Sequence, residues 1–123
     1  MIRVLIADDH PLVRAGLRQL LSEDPNVAEI GEAGSGNEAL NKLREGGWNL
    51  LLLDINMPDR NGLDILRNVN SSYPETKVLV LSGFSERLYA LNVLRAGASG
   101  YLPKECAPAE LLSAVKAVAA GRR

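Results

Sequence analysis

The stretch Leu50-Leu51-Leu52-Leu53-Asp54 constrains this chain more than any other. Four consecutive leucines are too few for a helix of their own and fit a strand buried on both faces, the environment of a parallel strand inside a sheet. An acid follows at once. An ionised carboxylate at the tip of a buried strand is costly unless a cation, hydrogen bonds or a reaction offsets it. The fold must therefore bring Asp54 a partner from elsewhere in the chain.

The same pattern recurs. Residues 2–7 form a β-rich apolar run ending at Asp8-Asp9, and residues 77–81 form another ending at Ser82-Gly83. Residues 27–33 read as a strand whose Glu29 and Glu32 place it at a sheet edge, and residues 98–102 as a weaker one. Helical periodicity fills the gaps. Pro11 suits a first helical turn, and Val13, Leu17, Leu20 and Leu21 repeat at helical spacing until Asp24-Pro25. Ser35 and Glu38 have the spacing of a capping box, and the helix they open stops at Gly46-Gly47. A third helix begins near Gly62, with Leu63, Leu66 and Val69 on one face, and closes at Tyr73-Pro74. A fourth carries Leu88, Leu91 and Leu94 and stops at Gly97. The last runs over 108–121 with Leu111, Leu112, Val115, Val118 and Ala119 facing inward, and its cap position, Ala107, has no side-chain oxygen.

Five strands alternating with five helices call for parallel pairing through right-handed crossovers, with helices on both faces: a doubly wound α/β sandwich. The 123 residues suffice for one such domain and leave no room for a second. The net charge of -1 lacks the basic footprint of a nucleic-acid binder, so any contact with DNA belongs to another domain. A single cysteine, Cys106, excludes an internal disulfide and fits a reducing, cytoplasmic setting. The first residues have neither the basic lead of a signal peptide nor the length of a membrane span, so no membrane contact is expected.

In doubly wound sheets ligands sit beyond the carboxyl ends of the central strands, which places Asp8, Asp9, Asp54, Ser82 and Lys104 along one rim. Three carboxylates gathered there repel one another, and a hard divalent cation with oxygen ligands would relieve them. Mg2+ is the natural ion, because it bridges protein carboxylates to phosphate. Lys104 adds a positive charge and Ser82 a hydroxyl, the donors a phosphoryl group needs beside the metal. A carboxylate is also a nucleophile toward phosphorus. The set suits phosphoryl transfer onto Asp54.

The segments Ala7-Asp8-Asp9-His10, Leu53-Asp54-Ile55-Asn56-Met57-Pro58, Leu81-Ser82-Gly83 and Gly100-Tyr101-Leu102-Pro103-Lys104 resemble the signature blocks of bacterial two-component response-regulator receiver domains. Asp8-Asp9-His10-Pro11-Leu12-Val13 and Arg95-Ala96-Gly97-Ala98-Ser99-Gly100-Tyr101-Leu102 most resemble the NarL/FixJ branch, whose members usually attach a LuxR-type helix-turn-helix after this domain. The resemblance implies a flavodoxin-like or CheY-like fold with strand order 2-1-3-4-5 and a receiver spanning residues 1–123. It further implies that Asp54 accepts phosphate from a sensor histidine kinase. Asp9, Asp54 and the backbone carbonyl of Asn56 would hold Mg2+, with Asp8 acting through water. Lys104 would pair with the phosphoryl oxygens and Ser82 hydrogen-bond them. Tyr101 would turn inward, altering the surface of the fourth helix, fifth strand and fifth helix. Asn56 and Phe84 occupy positions that tune self-dephosphorylation. Homodimerisation on phosphorylation, and DNA contact only through a C-terminal domain outside this chain, complete the implied picture.

Three details set this chain apart: Ser82 stands where threonine is also common, Asn56 and Phe84 form its pair at the tuning positions, and the residues flanking Lys104 differ. Many receivers have proline directly after the lysine, whereas here Pro103 precedes Lys104 and Glu105 follows it; lacking a donor, Pro103 fits the end of an edge strand. Other readings compete with the sharp ones. His10 could be a phosphodonor, but one histidine offers no metal cluster or relay partner, which favours a place in the first turn of the first helix. Tyr101 could be an ordinary half-buried aromatic. Trp48 reads as packing, Cys106 as an inert thiol and Arg122-Arg123 as solvated. A stand-alone receiver that signals by docking is the alternative function. A phosphatase of haloacid-dehalogenase type would carry Asp-x-Asp after its first strand, whereas Asp54 follows the third. A flavin carrier of the same fold would want a Ser/Thr/Gly-rich turn where Asp8-Asp9 stands.

Overall fold

The computed structural model describes residues 2–83 and 87–120. The expected roles of Phe84 and of Arg122-Arg123, and the packing of Leu88, lie outside what is described. Strands and helices alternate throughout: β1 (Ile2–Ala7), α1 (Pro11–Ser22), β2 (Val27–Ala33), α2 (Gly36–Arg44), β3 (Leu50–Asp54), α3 (Gly62–Ser72), β4 (Lys77–Ser82), α4 (Arg87–Arg95), β5 (Gly100–Pro103) and α5 (Pro108–Ala119). The five strands form one parallel sheet in the order β2-β1-β3-β4-β5. β3 is central and every one of its residues is buried, as its unbroken leucine run requires.

Side-chain alternation divides the leucine run between two cores. Leu51 and Leu53 point with Leu5, Val78 and Val80 toward Leu43 of α2, Ile65, Leu66 and Val69 of α3, and Val93 of α4. Leu50 and Leu52 point with Val4, Ile6, Leu79 and Leu81 toward Leu21 of α1 and Leu111, Val115 and Val118 of α5. Helices thus cover both faces. The chain reverses its winding between β1 and β3, which pair in parallel from Val4 against Leu50 to Ala7 against Leu53. Their carboxyl ends are therefore flush, and the acids that follow them meet at the switch point.

Local chemistry sets the boundaries. Gly97 ends α4 with φ +110, a left-handed conformation that a Cβ would strain, and a Cβ there would also run into the Asn70 side chain. The Ala98 amide then turns back to the Val93 carbonyl, so β5 begins at Gly100 rather than at 98. Pro103 ends this edge strand, the position in which a missing donor costs least. α5 starts at Pro108 after Ala107, which makes no side-chain cap. The capping box at α2 is only half formed: the Glu38 amide donates to Ser35 Oγ at 3.1 Å, but the Glu38 carboxylate accepts from the Gly34 amide instead of that of Ser35. On α3, Ile65 joins Leu66 and Val69 in the core, while Leu63 is half-buried. On α1 only Leu21 is fully buried, and Leu12 is 89% exposed. Trp48 is a packing residue: it is buried, donates Nε1–H to the Lys42 carbonyl at 2.9 Å and lies under the Arg3 guanidinium. Among the described residues no helix is long and apolar enough to cross a membrane.

Candidate metal centre at the carboxyl edge of the sheet

Each residue of the rim is delivered by a strand end. Asp54 is the last residue of β3 and is 1% exposed; Asp8, directly after β1, is also 1% exposed, and its amide donates to the Ala33 carbonyl of β2 at 3.0 Å. Lys104 follows β5. Its amide donates to the Ser82 carbonyl at 2.8 Å, continuing the β4–β5 ladder and aiming the side chain back over β3. The Lys104 ammonium then lies 2.9 Å from Asp54 Oδ2 and 3.1 Å from Asp8 Oδ2. Burial alone would push Lys104 down, but the hydrogen bonds it donates to Asp54 and Asp8 and their charges more than reverse this and hold it above the ordinary lysine value. It stays cationic at neutral pH. The other Asp54 oxygen, Oδ1, accepts the Asn56 amide at 3.0 Å.

Asp9 Oδ1 is shielded from solvent with no hydrogen-bond donor among the described residues, and Asp8 Oδ2, equally shielded, meets the Lys104 ammonium. The Lys104 contact to Asp8 is an ion pair, and Asp9 Oδ1 faces His10 Nδ1 at 3.1 Å. Oxygens so placed are the donors a hard divalent ion uses, and Mg2+ fits them. Ligand atoms of Asp8, Asp9, His10 and Asp54 all lie within 4.8 Å of one another. Here the expectation for His10 is corrected. It is the cap residue of α1, in extended conformation and not in the first helical turn. It also does have cluster partners: Nδ1 lies 2.8 Å from Asp8 Oδ1, 3.8 Å from Asp54 Oδ2 and 3.2 Å from Lys104 Nζ. The cause is the Asx-type turn in which the His10 amide donates to Asp8 Oδ1 at 2.8 Å, folding the imidazole back over the acids.

Two supporting residues carry no local motif. Arg14 donates Nη1–H to the Asp8 carbonyl at 2.7 Å and Nε–H to Glu32 at 3.2 Å, bracing the turn after β1 against β2. Its position one turn into α1, with an acid at the end of β2, was the available signal. Asp59 accepts the Gly36 and Asn37 amides at 2.8 and 3.0 Å, so the loop after β3 caps the N-terminus of α2. Those amides hold the Asp59 carboxyl below its usual range. Arg60 adds a bond to the Asn37 side chain at 2.7 Å. At the far end of this loop Gly62 sits so close to the Ile55 backbone that a Cβ would fall 2.4 Å from the Ile55 carbonyl oxygen. Residues 55–61 are thereby held at both ends while Asn56 remains exposed.

Of the residues singled out from sequence, the fold brings Asp8, Asp9, Asp54 and Lys104 together, with Ser82 buried at the end of the neighbouring strand. Tyr101 lies on β5, two strands from the one that carries Asp54. It is half-buried on β5, packs against the core on the α2–α4 side, and lines a groove with Leu94 of α4 and Ala114 and Ala117 of α5.

A parallel sheet of this order, with aspartates and a lysine converging at its switch point, is the architecture of a signalling receiver domain. The family described as response regulator receiver domain matches residues 4–116, and the chain belongs to it, within the NarL/FixJ branch. It is 39% identical over 122 residues to the DNA-binding transcriptional activator DevR/DosR of Mycobacterium tuberculosis, covering 99% of this chain and 56% of that protein. The chain spans just over half the length of the curated relatives it matches. Among solved structures, the signal receiver domain of the putative response regulator NarL from Mycobacterium tuberculosis superposes with a TM-score of 0.91 at 36% identity, over 98% of each chain. The isolated receiver domain of RcsB from Salmonella enterica serovar Typhimurium, solved with the phosphomimetic BeF3-, superposes with a TM-score of 0.92 at 27% identity, over 99% of this chain and 91% of that one.

Proposed function

We propose that Asp54 is the phosphoacceptor of a two-component signalling pathway and that its phosphorylation controls a transcription-regulating output domain. The observation that carries this reading is the Asp54 carboxylate itself: 1% exposed, it keeps one oxygen on the Asn56 amide and the other on the Lys104 ammonium. A buried acid so held is fixed for in-line attack. One Asp54 oxygen attacks the phosphorus of a phosphohistidine on a sensor histidine kinase. The O–P bond forms, the P–N bond breaks, and the imidazole leaves with the electron pair and takes up a proton. Asp9, Asp54 and the Asn56 carbonyl would hold Mg2+, with Asp8 acting through water, and the ion would supply charge neutralisation at the phosphoryl oxygens.

Lys104 exchanges its pairing with Asp54 for one with the new phosphoryl group, and the Ser82 hydroxyl donates to another phosphoryl oxygen. Because the Lys104 amide is bonded to the Ser82 carbonyl, both respond as one unit at the β4–β5 edge. The phosphate favours the state in which these donors reach it, and shifts the population by no more than that difference in affinity. Tyr101, on β5 and two strands from Asp54, turns inward and carries the change to the surface of α4, β5 and α5. Asn56 and Phe84 tune the loss of phosphate. The cellular setting is cytoplasmic. The output is a LuxR-type helix-turn-helix following residue 123 in the full-length protein, and phosphorylation promotes a homodimer; the greater length of the relatives and the DNA-binding activity named for DevR/DosR support this arrangement.

The test is incubation with acetyl phosphate and Mg2+ followed by intact-mass measurement. Wild type gains one phosphoryl increment and Asp54→Ala gains none. An increment retained in Asp54→Ala would overturn the assignment.

A further inference from the structure

We propose that Arg14, on α1 and outside the acid pocket, is a positioning residue: its guanidinium sets the peptide that joins Asp8 to Asp9, and so the direction in which both carboxylates meet the rim. The inference rests on the reading that these acids serve a divalent cation, and adds to it the residue that governs how well the ion is held.

Successive side chains of an extended strand point to opposite faces, so Asp8 and Asp9 can serve one point on the rim only if the chain leaves strand geometry directly after Ala7. The last rung of the sheet is the bond from the Asp8 amide to the Ala33 carbonyl at 3.0 Å. The Asp8 carbonyl turns elsewhere and accepts Arg14 Nη1–H at 2.7 Å. That carbonyl belongs to the planar peptide between the two acids, so its bond fixes the rotation of the plane from which Asp9 departs.

The guanidinium is itself held in place. Its Nε–H donates to Glu32 Oε1 at 3.2 Å, and the other Glu32 oxygen accepts Arg18 Nη1–H at 3.0 Å. Gly34, just after β2, leaves it room: a Cβ there would stand 3.2 Å from Arg14 Nη1. One planar fork thus ties the turn after β1 to the end of β2, a span that the single ammonium of a lysine does not reproduce. Charge and position act here in opposite senses. A cation beside the pocket opposes Mg2+, so if charge were all that Arg14 contributed, its removal would tighten binding. Glu32 offsets that charge at close range, which leaves the loss of position as the larger effect.

The experiment titrates Mg2+ onto the whole chain by calorimetry with no phosphodonor present, then follows phosphorylation by acetyl phosphate over a range of Mg2+ concentrations. Arg14→Met and Arg14→Lys are both expected to raise the Mg2+ dissociation constant about tenfold, the scale of loss when a group supporting a metal ligand is removed. The Mg2+ concentration for half-maximal phosphorylation should rise with it, so that the loss falls on this concentration and not on the rate at saturating Mg2+. Weakening in the lysine variant, which keeps the charge, assigns the effect to the fork; that variant also serves if Arg14→Met does not fold. Unchanged or tighter Mg2+ binding in either folded variant overturns the positioning role and leaves the phosphoacceptor reading standing. A wild type that binds no Mg2+ overturns both.

Discussion

The Lys104 ammonium faces two carboxylates that are each 1% exposed, so its removal leaves like charges opposed in a poorly solvated space. Lys104→Met is expected to destabilise the fold by about 1–3 kcal/mol, less than for a fully buried pair because 19% of the lysine side chain meets water. The sign of the pH dependence follows from the raised lysine value. Stability from a group whose folded value lies above its unfolded one is fully present below the unfolded value, here 10.5, and fades as pH climbs through the folded value. The gap between wild type and Lys104→Met in urea midpoint should therefore hold steady from pH 7 to about 10 and close only above 10.5. A gap that closes below pH 9 would refute this. At this scale the sequence was informative where burial and charge collide. Asp54 stood out because a leucine run cannot end on an acid without a partner. His10 did not, because the direction of its ring is decided by the Asp8 turn, which residue types alone do not specify.

Among the elements, α5 has the plainest defect. Its cap is Ala107, extended at φ -66 and ψ 147, with no side-chain oxygen for the first free amides. Ala107→Ser should raise the stability by about 0.5–2 kcal/mol, read as a higher melting midpoint. α2 has the opposite arrangement, its first amides being taken by Asp59 from across the site. Asp59→Ala should speed amide exchange at Gly36 and Asn37 and in the loop 55–61, while exchange in β3 is unchanged. Because those amides lower the Asp59 value from 3.8, the support it gives is present above that value and lost as pH falls through the folded one. The difference between the two proteins should vanish in acid below 3.8. Periodicity located α1, α3, α4 and α5, while α2 was found from its capping-box spacing and its glycine stop. It could not foresee that Glu38 would reach past Ser35 to Gly34, nor that the cap of α2 would come from 23 residues away, because neither bond has a local spacing.

For the whole molecule, sheet order was readable because alternating strands and helices leave few right-handed parallel arrangements, and the acids named the rim on which the winding reverses. How the rim speaks to the far side of the sheet was not readable, because it depends on backbone bonds between strands. The Lys104 amide and the Ser82 carbonyl are joined at 2.8 Å, and both lie at the ends of β5 and β4, next to the groove where Tyr101 meets α4 and α5. A ligand at Asp54 can bias that groove only through interactions that differ between two states, and the Lys104 side chain is the group with most to change. In wild type, Mg2+ with beryllofluoride should therefore alter amide exchange across β5, the start of α5 and the described part of α4. Lys104→Met should still bind the analogue, because Asp54, Asp9 and the Asn56 carbonyl remain, but its exchange in those segments should stay at the unliganded level. If Lys104→Met bound beryllofluoride and showed the wild-type change in β5 and α5, the signal would have to leave the pocket by a route that bypasses this lysine.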